Sequence, residues 1–303
     1  MQRLTVYSHP LRIIWQEPPI GRLLQGATPV YAKTLISRLF TLCAQAHSAA
    51  AALLLFPEEE PDMQAAQQEL ARETLRRALT DWLPLFSRRQ ATVEEWALLR
   101  RGELSPLAGT IFFDDDPHTW LAAGVQGWEA WFLQERSDAA HWLASLQNII
   151  TPTSPMASFP DQTLITRGPL DVSPLAIEYP LLSACCLGGK TTALRLLARC
   201  ITLARSLSAL PTLRWNRFDD GEWKIAVVET ARGWLVHQAR LTASGNILDY
   251  RIISPTTRHA QADGVIAREL ASIPASLWPR QLQVIDPCVA VDIVNEGPGP
   301  CMN

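Results

Sequence analysis

The spacing of apolar residues changes once along the chain, and this change limits the folds open to it. Up to about residue 150 the pattern is mostly helical. Between residues 222 and 254 it becomes three short stretches rich in β-branched and aromatic residues, joined by turn-like segments that contain Gly233 and Gly245. The pattern predicts an α+β fold, predominantly α, in which a helical core carries one small antiparallel β-meander.

Capping residues predict where several helices begin. Asp62 and Asp116 each precede a helical stretch, and Thr92 with Glu95 has the spacing of a capping box. The run from about Thr34 to Phe56 is apolar on nearly all faces, which predicts one continuous buried helix. Two further helices are expected at about Lys190–Leu210 and Ala262–Ile273.

The sequence predicts a single domain, 1–303, in three consecutive parts. The helical part, 1–150, ends at a linker rich in Pro, Ser and Thr, 151–163. The third part, 164–303, holds a helix, the meander and a C-terminal motif. Apolar residues make up 48% of the chain and charged residues 19%, so the chain can bury a sizeable core.

Charge and hydropathy argue against two classes of partner. The net charge is −3 and no basic patch is present, so nucleic acid is not an expected partner. The longest apolar stretch, Ala49–Phe56, is far too short to span a bilayer, and the first residues lack the apolar centre of a signal peptide. We therefore expect a cytoplasmic protein with no membrane partner. Its six cysteines include no C-x-x-C pair and are expected to be thiols.

A glycine-rich segment raises the alternative of nucleotide binding. Gly189-Lys190-Thr191 before a helix is similar to the end of a P-loop. A P-loop also needs an earlier glycine, where this chain has Ala184, and the preceding stretch 174–184 is a poor β-strand. A helix N-terminus preceded by glycines explains the segment as well.

A second candidate site is scattered along the sequence. Cys43 and His47 stand four residues apart, so that on a helix they would share one face. Near the other end of the chain stands Asp286-Pro287-Cys288. Taken separately, either group is also compatible with simple core packing.

The two groups resemble the metal motifs of nickel–iron hydrogenase large subunits. Arg38, Cys43 and His47 match the family's R-x-C-G-x-C-x-x-x-H, with Phe40 at the first Cys and Thr41 at the Gly. The C-terminal group matches D-P-C-x-x-C-x-x-H over its first three residues. Val291 stands at the second Cys of that motif, and Val294 stands at its His.

Two intermediate stretches follow in the same order. Residues 168–177 resemble the family's E-V-G-P-L-A-R stretch, with Asp171 for Glu and Ser173 for Gly. Residues 229–259 resemble E-A-P-R-G-A-L-x-H and P-T-T-W-N, apart from Ala231, Arg258 and His259. The matching residues there are Glu229, Arg232, Gly233, His237, Pro255, Thr256 and Thr257.

The resemblance implies a fold like that of a hydrogenase large subunit and assigns roles to single residues. Cys43 corresponds to a bridging cysteine and Cys288 to a terminal nickel ligand. Arg232 and Thr256 correspond to positions beside the iron that hydrogen-bond its cyanides. The other matched residues that would surround the metal group are Arg38, His47, Asp286, Pro287 and Thr257.

The losses within the motifs are similar to those of hydrogenase assembly proteins of the HupK/HoxV type. With two of four thiols gone, nickel would lose half its soft ligands, so neither bound nickel nor hydrogen turnover is expected. The resemblance implies a non-enzymatic scaffold that transiently holds the Fe(CN)2(CO) group. Its implied partners are HypC-type maturation chaperones and the hydrogenase large subunit. A relative that binds no metal and only contacts partners is the alternative.

Overall fold

The computed structural model describes most of the chain, and its helices (α) and strands (β) are numbered here in chain order. The described residues are 3–60, 62–157, 164–165, 168–185, 187, 191–210 and 212–295. Residues 158–163 of the predicted linker, and Gly189 and Lys190 of the P-loop-like segment, lie outside them.

Helices make up most of the chain from Ile20 to Leu146. The predicted capping residues are confirmed: Asp62 accepts a hydrogen bond from a backbone N–H in the first turn, as does Asp116, and Thr92 with Glu95 forms the capping box. The helices of this part are α1 (Ile20–Leu24), α2 (Pro29–Leu39), α3 (Ala44–Leu55), α4 (Met63–Arg77), α5 (Val93–Arg101), α6 (Leu104–Ala108), α7 (Pro117–Ala122), α8 (Gly124–Gln134) and α9 (Asp138–Leu146), with π-helical segments at Ala78–Ser87 and Gly109–Phe113.

The prediction of one continuous helix over Thr34–Phe56 is wrong. Helix α2 ends before Phe40, whose backbone is extended, and α3 starts after Cys43, which has the left-handed conformation (φ 56°). The Glu69 carboxylate of α4 accepts the backbone N–H groups of Gln45 and Ala46 and so caps the new helix start. Cys43 is therefore the residue just before α3 and makes no side-chain capping bond of its own, and the shared helical face expected for Cys43 and His47 does not form.

A three-stranded sheet joins the two ends of the described chain. Strand β1 (Arg3–Ser8) pairs antiparallel with β2 (Leu11–Trp15) and parallel with β7 (Ala290–Val294), in the order β2-β1-β7. Leu4 lies opposite Trp15 on one side and Val291 on the other. The apolar pattern predicts only the central meander and not this sheet, because β7 pairs with β1 at the other end of the sequence.

The predicted meander forms, with one additional strand at its edge. The antiparallel order is β3-β4-β5-β6, and β3 was not predicted. Its strands are β3 (Trp215–Asp220), β4 (Trp223–Thr230), β5 (Gly233–Leu241) and β6 (Ile247–Ile253). The helices of this half are α10 (Pro174–Leu182), α11 (Thr191–Ser206), α12 (Pro255–His259), α13 (Val265–Ala271) and α14 (Trp278–Ile285).

The core lies between the helices of the first half and α11, which is buried along nearly its whole length. The rings of Trp82, Phe112 and Trp142 meet edge to face, with centroids 5.7–6.3 Å apart. A second apolar cluster packs α3 against the meander. The two clusters thus fix the positions of α3, α4 and the meander, which carry the candidate site, relative to α11.

Among the described residues, no helix is both long and apolar enough to cross a membrane.

Gly233 allows the turn between β4 and β5 to meet the segment before α10. Its φ is 120°, and a Cβ atom there would lie 1.9 Å from the carbonyl oxygen of Val172. Trp234 N–H also donates to that oxygen at 2.8 Å.

We expect Gly233→Ala to lower the free energy of unfolding by about 3 kcal/mol or more, because the cost of backbone strain and the cost of the steric overlap are added together. Urea denaturation measures this change. Gly245→Ala in the exposed β5–β6 turn, where φ is 81° but no atom lies within 4 Å, should have a smaller effect.

Candidate functional site

The main cavity of the described chain has a volume of about 1130 Å³. Cys43 and Cys288 both line it, although they lie at opposite ends of the sequence. Phe40 and Val291, which occupy the positions of the other two thiols of the resembled motifs, line it as well. All four positions therefore meet at one cavity, and two of them carry side chains that cannot bind a metal.

Cys43 is held by the break between α2 and α3. Its sulfur lies 3.8 Å from Nη1 of Arg232. Burial raises the pKa of the Cys43 thiol to about 12, and the nearby Arg232 opposes this rise only in part. The group is therefore a neutral thiol near pH 7 and must release a proton when it binds a metal.

Cys288 is held by the threonine at the start of α12. The Thr256 hydroxyl accepts the backbone N–H of Cys288 at 2.9 Å and donates to its sulfur at 3.1 Å. Helix α12 begins at Pro255, after Ser254 caps it. The hydroxyl thus fixes both the backbone and the side chain of the cysteine.

Arg232 lies beside the Cys43 thiol in a fixed orientation. Its side chain is buried; Nη2 donates to Glu73 Oε1 at 2.8 Å, and Nε lies 3.5 Å from Asp286 Oδ2. Glu73 therefore holds the fork by a hydrogen bond and Asp286 by charge alone, because Nε has no hydrogen-bond partner. Nη1 lies 3.8 Å from the Cys43 sulfur, and Arg232 is among the residues that line the cavity.

Asp286 is the buried centre of this charge cluster. Its Oδ1 accepts from Arg77 Nε at 2.7 Å, and Arg199 Nη1 lies 3.6 Å from its Oδ2. Burial alone would raise the pKa of Asp286, but Arg232, Arg77 and Arg199 together lower it below the ordinary value. The residue has a left-handed backbone (φ 58°) and ends α14 immediately before Pro287 and Cys288.

His47 lies on the cavity wall, but its ring nitrogen Nδ1 pairs with His237 and not with either thiol. Nδ1 is 2.9 Å from Nε2 of His237, whose Nδ1 is 2.7 Å from the Tyr250 hydroxyl. The ring stacks on Phe40, with centroids 3.5 Å apart. Burial lowers the pKa of His47 to about 3, so the imidazole is neutral. The side chain at the position of a lost thiol is thus packed against this histidine.

The remaining predicted site residues divide into two groups. Pro287 and Thr257 line the cavity, and Thr257 Oγ1 accepts from Trp15 Nε1 at 3.2 Å. Arg38, in contrast, is exposed on the last turn of α2 and is not among the residues that line the cavity. The structure therefore does not bring Arg38 to the two thiols.

Three residues that hold the site were missed from the sequence: Glu73, Arg77 and Arg199. Glu73 bonds Arg232 across 159 positions of sequence, and Arg77 bonds Asp286 across 209. The only available signal was local, because Glu73 and Arg77 stand four residues apart on a helix that carries charge on one face. That spacing is also typical of solvated surface pairs.

The site offers two thiols as metal ligands. Among the described residues, no group of three or more His, Cys, Asp and Glu side chains is arranged to hold a metal ion. A bare metal ion would therefore have only two protein ligands here, whereas a metal that brings its own ligands needs fewer from the protein. The Arg232 guanidinium, which lines the cavity beside Cys43, is suited to hydrogen-bond an anionic group there. The Thr256 hydroxyl donates to the Cys288 sulfur, and Thr256 is not among the residues that line the cavity.

The structural context of a P-loop does not form around residue 184. The element before it, α10, is a helix, whereas a P-loop follows a β-strand. Thr191 is buried at the start of α11, and its hydroxyl faces no solvent. The described part of this segment therefore matches a plain helix start.

Comparison with known proteins gives relatives of one kind. No protein-family model matches the chain. It is 29% identical to the hydrogenase expression/formation protein HupK of Rhodobacter capsulatus, over 91% of this chain and 89% of that protein. It is 28% identical to the hydrogenase expression/formation protein HupV of Azotobacter chroococcum, over 90% of each chain.

Solved structures give the fold. The nickel–iron–selenium hydrogenase of Desulfovibrio vulgaris Hildenborough matches with a TM-score of 0.57 at 13% identity, over 92% of each chain. An NAD⁺-reducing nickel–iron hydrogenase matches with a TM-score of 0.54 at 16% identity, also over 92% of each chain. The predicted fold class and the resemblance stated from the motifs are both confirmed.

Proposed function

Because the chain is a relative of HupK and HupV with the fold of a nickel–iron hydrogenase large subunit, we propose that it serves hydrogenase maturation. In this role it is a scaffold without catalytic activity. It holds the Fe(CN)2(CO) group between Cys43 and Cys288 and passes it to the hydrogenase large subunit. A HypC-type chaperone is the partner that brings the group.

One observation carries this proposal: the four thiol positions meet at one cavity, and only two are still cysteines. Phe40 and Val291 remove half the soft ligands that nickel would need. The iron group supplies its own carbonyl and cyanide ligands and needs fewer from the protein. A cavity with two thiols, but with only half the ligands that nickel would need, is suited to hold the iron group without forming a complete nickel–iron centre.

The protein should be purified without oxygen from cells that contain the maturation machinery. We expect about one iron per chain, with infrared bands of iron-bound carbonyl and cyanide, because the two thiols and Arg232 bind that group. We expect no stoichiometric nickel and no hydrogen uptake, since half the nickel ligands are missing. Metal analysis, infrared spectra and a hydrogen-uptake assay check these expectations.

The same preparation separates the proposal from its alternatives. Nickel at one per chain, or hydrogen uptake by the isolated chain, would contradict it. A protein that binds the large subunit but carries neither iron nor the infrared bands would instead be a metal-free assembly factor. The absence of any three-residue metal-binding group among the described residues is the observation that favours this second candidate.

A further inference from the structure

Arg199 is a buried guanidinium of α11 that contacts both turns of the site. It is 3% exposed. Nη1 donates to the carbonyl of Ala231 at 2.8 Å. Nη2 donates to the carbonyls of Ile285 at 2.8 Å and of Val284 at 3.1 Å. Nη1 also lies 3.6 Å from the carboxylate of Asp286. One side chain thus bridges two segments that lie far apart in the sequence.

Each of these carbonyls belongs to a segment that carries a predicted site residue. Ala231 immediately precedes Arg232, which lies beside the Cys43 thiol. Ile285 ends α14, three residues before Cys288. A guanidinium is planar and its N–H groups form a rigid fork, so it fixes the distance between its acceptors. Arg199 therefore sets how far the two turns lie from each other.

Burying the Arg199 guanidinium in this position is energetically unfavourable, so its presence needs an explanation. The free carbonyls at a helix end are normally satisfied by a glycine-centred turn or by water, at little cost. Here they are satisfied by a buried cation that lies near three others, Arg232, Arg195 and Arg77. Burial lowers the pKa of Arg199 to about 10, and Asp286 opposes this shift. The group nevertheless stays charged at neutral pH.

We propose that Arg199 is a positioning residue that keeps Arg232 and Cys288 at the spacing needed to engage one bound group from two sides. The inference that Arg199 couples the two turns depends only on its hydrogen bonds to Ala231, Val284 and Ile285. The identity of the bound group rests on the proposed function.

Arg195 provides a matched control one turn earlier on α11. It is 2% exposed, and its Nη2 bonds Asp171 and Glu269, each at 2.6 Å. Its Nη1 also donates to the Ser173 hydroxyl at 2.8 Å, in the segment that meets Gly233 and Trp234. Replacing Arg195 thus removes an equally buried guanidinium from the same helix without removing any hydrogen bond to Ala231, Val284 or Ile285.

Hydrogen exchange of the whole protein tests the coupling without any cargo. In Arg199→Gln we expect the amides of residues 229–232 and those of residues 284–286 and 288 to exchange together, roughly tenfold faster or more, because both turns lose a charged donor. Arg199→Lys keeps the charge but not the fork of N–H donors, so it should restore wild-type exchange rates at one turn at most. Arg195→Gln should leave the relative protection of the two segments unchanged.

Several results would overturn the inference. Faster exchange at only one turn of Arg199→Gln would show that the turns are independent. Equal effects of Arg195→Gln and Arg199→Gln would show a general loss of stability. If Arg199→Gln does not fold, Arg199→Lys decides: wild-type protection at both turns contradicts the proposal, and increased exchange at one or both supports it.

The infrared spectrum tests the positioning role itself. In Arg199→Lys we expect retained iron with shifted or broadened cyanide bands, because Arg232 and Cys288 no longer keep one spacing. Wild-type bands in Arg199→Lys would contradict a positioning role even if exchange is faster. If the wild-type protein shows no bands, the proposed function fails, while the exchange experiment still decides whether Arg199 couples the two turns.

Discussion

Replacing either Cys43 or Cys288 with alanine is expected to abolish the carbonyl and cyanide infrared bands of the anaerobically purified protein. The site offers two thiols, so the loss of one removes half of its metal-binding side chains. Loss of a group that merely orients a metal ligand lowers metal affinity by roughly 10–100-fold, and loss of a ligand should have a larger effect. Iron content and infrared spectra, measured on wild type and variants prepared in parallel, check the result.

Cys185→Ala is the matched control for these variants. Cys185 is a buried thiol of the helical core and does not line the cavity, so its loss should leave the bands unchanged. Both cavity cysteines lie at the wall of a cavity and, as whole residues, are partly exposed, so their alanine variants should fold. If the bands persist in Cys43→Ala and in Cys288→Ala, the two thiols are packing residues. A co-purifying chaperone would then carry the cargo, as the metal-free alternative requires.

Local sequence signals predicted the parts of the fold that depend on neighbouring residues. The capping box of Thr92 and Glu95 and the strands around Gly233 follow from residues a few positions apart, and both are present. Strands β1 and β7 pair across the whole chain, and no local pattern shows such pairing. The break at Phe40–Cys43 was missed for a related reason, because Glu69 on another helix provides the cap.

The candidate site was partly predictable because its thiols stand in ordered motifs. Cys43 and Cys288 were chosen from those motifs, and the structure brings both to one cavity. Arg38 stands in the same motif but is exposed on the last turn of α2 and does not line the cavity. Glu73 and Arg199 act through contacts with distant residues, so spacing alone could not assign them to the site.

The buried carboxylate of Asp286 is expected to make a large contribution to the stability of the fold. It lies 2.7 Å from Arg77, 3.5 Å from Arg232 and 3.6 Å from Arg199. In Asp286→Asn the side chain keeps its size, but the three guanidinium groups lose their common anion. Removing one partner of a buried ion pair typically destabilises a protein by about 3–5 kcal/mol. Urea denaturation at pH 7 measures the change.

Asp292→Asn is the control for this variant, because Asp292 forms an exposed pair with Arg3, and such pairs contribute little. A change in Asp286→Asn no larger than that in Asp292→Asn would show that the cluster is not essential to the fold.

The pH dependence of stability gives a second test. The three arginines lower the folded-state pKa of Asp286, so its contribution is complete above the ordinary carboxyl pKa of about 3.9 and is lost as the pH falls through the lower folded value. Wild type should therefore lose stability on acidification more steeply than Asp286→Asn, and the difference between them should narrow below about pH 4. A constant difference between pH 7 and pH 3 would mean that the asparagine acts through packing and not through the missing charge.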